Sequence, residues 1–154
     1  MNNILITGGA GYIGSVLSKS LLDQGYFVTV LDNFRYNQNC LLDCCHDDKF
    51  RVIRGDVRNE QILTSSLQNQ DFIIHLAALV GAPICNANKD DALTTNFEST
   101  KLLLKLRNES QKILFPCTNS GYGIGEKGKY CTEETPLRPI SFYGQTKVNS
   151  EKAI

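Results

Sequence analysis

Short apolar runs alternate along the chain with longer segments of helical period, and that alternation predicts the fold class before any motif is read. The strand-like runs are Ile4 to Thr7, Phe27 to Leu31, Phe50 to Arg54, Asp71 to Leu76 and Lys112 to Cys117. Between them lie helix-like stretches at Tyr12 to Gln24, part of Gln38 to His46, Glu60 to Gln68, and Asp90 to Asn108. In the last of these, Leu93, Phe97, Leu102, Leu103 and Leu106 keep to an approximate helical stripe. A final helix starts near Ser141. Strands that alternate with helices of this length imply a parallel sheet joined by right-handed crossovers, so the expected fold is α/β and doubly wound. The segment from Ser120 to Pro139 breaks the rhythm. It carries Gly121, Gly123, Gly125 and Gly128, then Pro136 and Pro139, and reads as a long substrate-facing loop.

Composition narrows the partners. The chain has 154 residues, the size of one domain, with 42% hydrophobic and 21% charged residues. Sixteen basic residues balance 16 acidic ones, and no basic run is present, which argues against nucleic acid or an anionic membrane surface as a partner. No apolar stretch approaches the length of a membrane span. The start, Met1-Asn2-Asn3-Ile4-Leu5-Ile6, lacks the basic and apolar pattern of a secretion signal and reads as the first strand, which places the chain in the cytoplasm. The six cysteines are then expected as thiols. Cys40, Cys44, Cys45 and His46 lie close in sequence but hold no Cys-x-x-Cys pair, so no metal site is expected there.

The first strand runs into Thr7-Gly8-Gly9-Ala10-Gly11-Tyr12-Ile13-Gly14, which satisfies G-x-G-x-x-G from Gly9 and also the wider spacing Gly8, Gly11, Gly14. Glycines allow a tight turn and let the backbone approach a pyrophosphate without a Cβ in the way. The N–H groups that open the following helix then face the phosphate, aided by the helix dipole. Gly8, Gly11, Tyr12, Ile13 and Gly14 are therefore expected to bind a dinucleotide. Asp32, with Asn33 after it, ends the second strand at the distance expected for a carboxylate that accepts the adenosine ribose hydroxyls. A carboxylate at that point repels a 2′-phosphate, which favours NAD over NADP; Arg35 nearby acts the other way.

Further pieces follow in the order found in extended short-chain dehydrogenases. Asp56-Val57-Arg58 comes after the third strand and His75-Leu76-Ala77-Ala78 ends the fourth. Asn96 sits in the long helix, Cys117-Thr118 ends the fifth strand, and Tyr143-Gly144-Gln145-Thr146-Lys147 presents Tyr-x-x-x-Lys. On these residues the chain resembles the N-terminal portion of that family, in its NAD-dependent sugar-nucleotide epimerase/dehydratase branch, and the resemblance covers essentially the whole chain. It implies a Rossmann fold with NAD as cofactor, held by the glycine loop, Asp32, Asn33, Asp56, Val57, Leu76, Ala77, Ala78, Asn96 and Lys147. It further implies that Tyr143 is the base, Lys147 its activating cation and Thr118 a hydrogen-bond donor to the same substrate oxygen.

The spacing makes chemical sense. Residues four apart share one helix face, and an ammonium beside a phenol lowers a pKa that is otherwise about 10. His75 and Cys117 are read as packed residues without a chemical role. Dehydratases of this family carry Asp-Glu after the catalytic threonine, whereas this chain has Asn119-Ser120, which disfavours elimination of water. Epimerisation at C4 of a nucleotide sugar, and simple oxidation or reduction there, both stay open. So does a non-catalytic dinucleotide-binding module. The resemblance also implies that residues 1–154 are an incomplete NAD-binding domain, with the remaining strands and the sugar-binding portion absent. Ile113, Leu114 and Phe115 would then line an open strand edge that a second copy or a complementing chain could cover.

Overall fold

The structure is a computed structural model and describes residues 2–125 and 128–154. Met1 of the expected first strand and Glu126 and Lys127 of the 120–139 loop lie outside the described residues. The chain resolves into two compact units. One takes the described residues up to Ala77 together with Leu102–Pro116; the other takes Ala78–Lys101 and the described residues from Cys117 onward.

The first unit is built on strands β1 (Asn3–Thr7), β2 (Phe27–Asp32), β3 (Phe50–Arg54), β4 (Phe72–His75) and β5 (Lys112–Leu114). They form one five-stranded sheet in the order β3-β2-β1-β4-β5, every pair parallel. Helices α1 (Tyr12–Asp23) and α2 (Glu60–Leu67) belong to this unit. The period-two alternation of the strands decides which face each side chain joins. Ile4 and Ile6 of β1, Val28 and Val30 of β2 and Ile74 of β4 pack with Leu22 of α1 and with Leu41 and Cys44. Their neighbours Leu5, Leu31 and Ile73 face the other way, onto Leu63 and Leu67 of α2 and onto Leu103. Both sheet faces are thus covered, as the apolar runs predicted. The strand order reverses direction between β1 and β4, the kind of switch point at which open α/β sheets place ligands.

The second unit holds helices α3 (Ala82–Ala87), α4 (Lys89–Leu93), the start of α5 (Ser99–Leu106) and α6 (Phe142–Ala153), with a 3₁₀ turn at Asn119–Tyr122. Its small core is Leu79, Cys85 and Ala92, flanked by Ile84, Phe142 and Tyr143. Ser141 caps α6 by accepting from Gly144 N at 3.0 Å, as Asn59 caps α2 by accepting from Ile62 N at 3.0 Å.

Three elements differ from the sequence reading. The stretch expected to be helical within 38–46 is only a 3₁₀ turn at Leu42–Cys44, because only Leu41 and Cys44 are buried there, too few to anchor two turns. The short α3 was not anticipated, although Pro83 in its first turn is an ordinary start signal. The long helix expected over 90–108 is divided by a π turn at Thr94–Glu98. The extra residue per turn rotates the apolar stripe off the packed face, so Leu93 is exposed and Phe97 half-buried beneath the Lys101 ammonium. Among the described residues no helix is long and apolar enough to cross a membrane.

Candidate functional site

The glycine loop leaves β1 through Gly8, whose φ of +70° is a left-handed conformation that side chains resist. Gly8 N donates to Leu31 O at 2.8 Å, and Gly11 N to Gly8 O at 3.1 Å, which closes the turn. A Cβ on Gly14 would sit 2.5 Å from Gly9 Cα, so this position admits only glycine if α1 is to start where it does. At Gly11 the space differs: a Cβ there would meet nothing within 4 Å except Gly8 O at 3.2 Å. A Cβ at Gly11 would thus crowd only the Gly8 carbonyl, while a ligand drawn against that backbone would need the position open.

Gly11 is also the N-cap of α1, and no side chain caps that end. The first N–H groups of the helix remain for an external acceptor, the chemistry that a pyrophosphate supplies. Tyr12 and Ile13, the first two helical residues, are 93% and 58% exposed, a cost that a bound ligand would offset. These features fit a dinucleotide.

Asp32 is buried at the end of β2, and its two oxygens accept from backbone: Oδ2 from Ala10 N at 2.9 Å and Oδ1 from Phe34 N at 2.7 Å. It pins the glycine loop to β2, and each oxygen keeps a second lone pair for another donor. Asn33 is exposed and reaches Asp56 Oδ2 at 3.4 Å. Asp56 is paired with Arg58 at 2.7 Å, and that hydrogen-bonded guanidinium holds the carboxyl well below its usual range, at about 2. Val57 is core, 5% exposed, so only its backbone is available to a ligand. Leu76 and Ala77 are half-buried after β4, with Leu76 N donating to Thr7 O at 3.0 Å. His75 is buried with Nδ1 2.6 Å from Thr7 Oγ1, a satisfied core histidine that locks the ends of β1 and β4 together. Sequence reasoning had passed over Thr7 and also Cys40, whose thiol donates to Ala10 O in the glycine loop at 3.0 Å. Among the described residues no three His, Cys, Asp or Glu side chains gather as a metal site.

The second unit carries Thr118, Tyr143 and Lys147. Thr118 caps the 3₁₀ turn that follows it, accepting from Ser120 N at 3.2 Å, and its side chain lies near enough to act on the Tyr143 hydroxyl. Tyr143 opens α6 half-buried, and Lys147 lies one turn on, 5% exposed. Burial pushes the lysine down to about 8, partly opposed by the nearby Cys117 and Glu151. Burial holds the Tyr143 hydroxyl above the ordinary 10, the Thr118 side chain pulls it back, and Cys85 and Cys117 push it further up. Cys117 departs from its reading: it is exposed rather than packed away.

Ala78 is half-buried at the start of this unit. Asn96, 2% exposed in the π turn, clasps Leu79 from both sides, with Oδ1 accepting from Leu79 N at 2.7 Å and Nδ2 donating to Leu79 O at 3.0 Å. Its Nδ2 also reaches Thr146 Oγ1 at 3.2 Å, and Ser150 Oγ donates to its carbonyl at 2.7 Å. Thr146 and Ser150 were missed. The available signal was their spacing, i+3 and i+7 from Tyr143, on the face that carries the tyrosine and the lysine.

Comparison with known proteins gives the same picture over almost the full length. A UDP-glucose 4-epimerase from Halalkalibacterium halodurans is 37% identical over 97% of this chain, which covers 44% of that protein. In the solved structure of a UDP-glucuronic acid 4-epimerase from Bacillus cereus, in complex with UDP-glucuronic acid and NAD, the fold matches with a TM-score of 0.88. Identity there is 30%, covering 98% of this chain and 50% of that one. A dTDP-glucose 4,6-dehydratase from Streptomyces venezuelae, with NAD bound, matches at a TM-score of 0.90 and 31% identity, covering 98% and 50%. The chain spans about half the length of the curated relatives it matches. The model of the NAD dependent epimerase/dehydratase family matches residues 4–154, from the second residue of β1 to the end of α6. A parallel sheet with a glycine turn after β1, and a Thr–Tyr–Lys group on a separate helical unit, is what that match spans: the chain belongs to the NAD dependent epimerase/dehydratase family.

Proposed function

We propose that residues 1–154 are the NAD-binding portion of an enzyme that acts at C4 of a nucleotide sugar, with epimerisation as the reaction. The observation that carries this reading is the placement of the Thr118 side chain close enough to act on the Tyr143 hydroxyl, with buried Lys147 one turn further along α6. A phenol, a hydroxyl partner and a lysine that share one helical unit are the parts needed to move a proton at an alcohol. Gly8, Gly11, Tyr12, Ile13 and Gly14 hold the pyrophosphate against the start of α1, and Asp32 with Asn33 receives the adenosine ribose. Asp56, the Val57 backbone, Leu76, Ala77, Ala78 and Asn96 complete the cofactor set.

When bound, NAD supplies a hydride acceptor and a positive charge on its oxidised ring. The remaining steps fall to the chain's own side chains. Tyr143 takes the proton from the C4 hydroxyl as the C4–H bond breaks, and Thr118 steadies that oxygen. Lys147, with its pKa near 8, is still mostly protonated at pH 7 and supplies the cation that favours the phenolate. Burial alone leaves Tyr143 too weak an acid for this work, so the proposal requires its hydroxyl to acidify when the cofactor arrives. Asn119-Ser120 after Thr118 gives no acid for elimination, which favours the epimerase over the dehydratase chemistry found among the relatives.

The test is calorimetric titration with NAD and with NADP, followed by turnover of UDP-sugars. Binding of NAD in preference to NADP, weakened in Asp32→Asn, and turnover lost by about 10²–10⁴-fold in Tyr143→Phe are expected. No binding to either dinucleotide would refute the cofactor assignment. Tight NAD binding without turnover would instead make the chain a dinucleotide-binding module.

A further inference from the structure

The buried face of α6 is polar where packing alone would favour apolar residues. Thr146 is 1% exposed, Lys147 5% and Ser150 0%, with only Val148 apolar beside them. Serine and threonine inside a helix are weaker helix formers than alanine, and a buried hydroxyl costs free energy unless it is hydrogen-bonded. Valine at 146 and alanine at 150 would match the space with better local energetics. A hydroxyl at each position therefore calls for a reason other than packing.

The bonding supplies one. Thr146 Oγ1 donates to Tyr143 O at 2.8 Å and accepts from Asn96 Nδ2 at 3.2 Å. Ser150 Oγ lies 2.7 Å from the Asn96 carbonyl and 3.1 Å from that of Thr146. Both hydroxyls thus converge on one residue, Asn96, the centre of the π turn at Thr94–Glu98. Asn96 is itself fixed to the Leu79 backbone through two hydrogen bonds, so it is a rigid anchor rather than a mobile partner. A π turn in a helix brings one carbonyl out of the regular ladder, and such turns collect at functional sites. The Asn96 carbonyl also accepts from Thr100 Oγ1 at 3.1 Å.

At about 100° per residue, positions 143, 146, 147 and 150 fall within an arc of about 100° on α6. The hydroxyls that meet Asn96 therefore share one face of α6 with Tyr143 and Lys147. A small rotation of α6 about its axis would break the Asn96 bonds and swing Tyr143 from Thr118 in the same motion. Apolar contacts slide over such a rotation at little cost, whereas directional hydrogen bonds do not.

We infer that Thr146 and Ser150 are positioning residues: bonded to Asn96 of the π turn, their hydroxyls set the rotation of α6 that presents Tyr143 to Thr118. The inference rests on the role given to Tyr143 above, yet it can be read without turnover. The probe is the full chain carrying ¹³C-labelled tyrosine rings, with the Tyr143 resonance assigned by its loss in Tyr143→Phe. Thr118, Cys85 and Cys117 act on the hydroxyl, so a rotation of α6 that moves it relative to them changes its titration.

Thr146→Val and Ser150→Ala are each expected to move the Tyr143 midpoint by about half a pH unit or more, with Thr146→Ser at the wild-type value. A midpoint unchanged in both Thr146→Val and Ser150→Ala would overturn the inference. So would a Thr146→Ser midpoint displaced as far as that of Thr146→Val, since packing rather than the hydroxyl would then be responsible. Should Thr146→Val fail to fold, Ser150→Ala decides by the same criterion. A wild-type chain that binds no NAD sinks the enzymatic reading, and the tyrosine titration still decides the clamp.

Discussion

Lys147→Met separates the stability of the fold from its proposed chemistry. In the folded chain Lys147 is 5% exposed, and burial brings its pKa from 10.5 to about 8. At about 1.4 kcal/mol per pH unit this corresponds to about 3 kcal/mol that the folded state gives up, at neutral pH, to keep the ammonium charged. Methionine has nearly the same length and no charge, so the substitution removes that cost while filling the same volume. The bonds the ammonium makes are lost with it, and a net gain of about 1–3 kcal/mol is expected. Urea unfolding at pH 7 followed by circular dichroism measures it, and the same gain raises the melting temperature by roughly 2–4 °C per kcal/mol.

The pH dependence gives a second readout. Between about 8 and 10.5 the unfolded chain holds the lysine proton and the folded chain has released it, so the unfolded state binds more protons. Raising the pH through that window therefore stabilises the wild type relative to Lys147→Met, and the gap between the two closes. A Lys147→Met chain no more stable than wild type at pH 7, with an unchanged gap up to pH 10, would refute the assignment of Lys147 as a buried cation kept for function.

Other positions give independent checks. Gly14→Ala places a Cβ against the Gly9 backbone, and the start of α1 must shift; the expected result is destabilisation by about 1–3 kcal/mol in denaturant and weaker NAD binding by calorimetry. Leu103→Ala removes a side chain that is 1% exposed and sits between the sheet and α2; unfolding should show a loss of about 2–5 kcal/mol with NAD affinity retained. Asp56→Asn tests the Arg58 pair. The wild type holds that contribution above pH 3.8 and loses it as the pH falls toward about 2, so the variant's acid-unfolding curve should be flatter in that window. The pair is about a third exposed, which keeps the effect small.

The parallel sheet was legible because its information is local. Ile4-Leu5-Ile6 and Val28-Thr29-Val30-Leu31 are buried on both faces and need no long-range context to be read as strands. The glycine loop was legible for the same reason, since a left-handed Gly8 and a crowded Gly14 are demands of the backbone within one turn. Boundaries were less so: β5 ends at Leu114 rather than Cys117, because the ladder with β4 stops at the pairing of Ile74 with Leu114. The stretch around Cys40 to His46 misled through composition. Its mixed polar and apolar residues have a helix-like look, but a helix there would need a longer apolar face than Leu41 and Cys44 provide.

The second unit shows where reading by apolar period fails in principle. From Ala92 to Leu103 the buried positions are Ala92, Thr95, Asn96, Ser99, Thr100 and Leu103, a regular i, i+3, i+4 stripe in which four of six residues are polar. A hydrophobic pattern cannot find a face built from buried polar residues, of which Asn96, Ser99 and Thr100 are hydrogen-bonded through their side chains and Thr95 Oγ1 is not. It found instead Leu93 and Phe97, which the π turn carries outward. The same holds for Thr146 and Ser150 on α6. Such faces are costly to build, since each hydroxyl must find its partner, and they persist where orientation matters more than stability. Thr146 and Ser150, which sequence reasoning misses, lie on the helix that carries Tyr143, where hydrogen bonds to Asn96 stand beside the apolar contacts that Tyr143 makes with Leu79, Cys85 and Ala92.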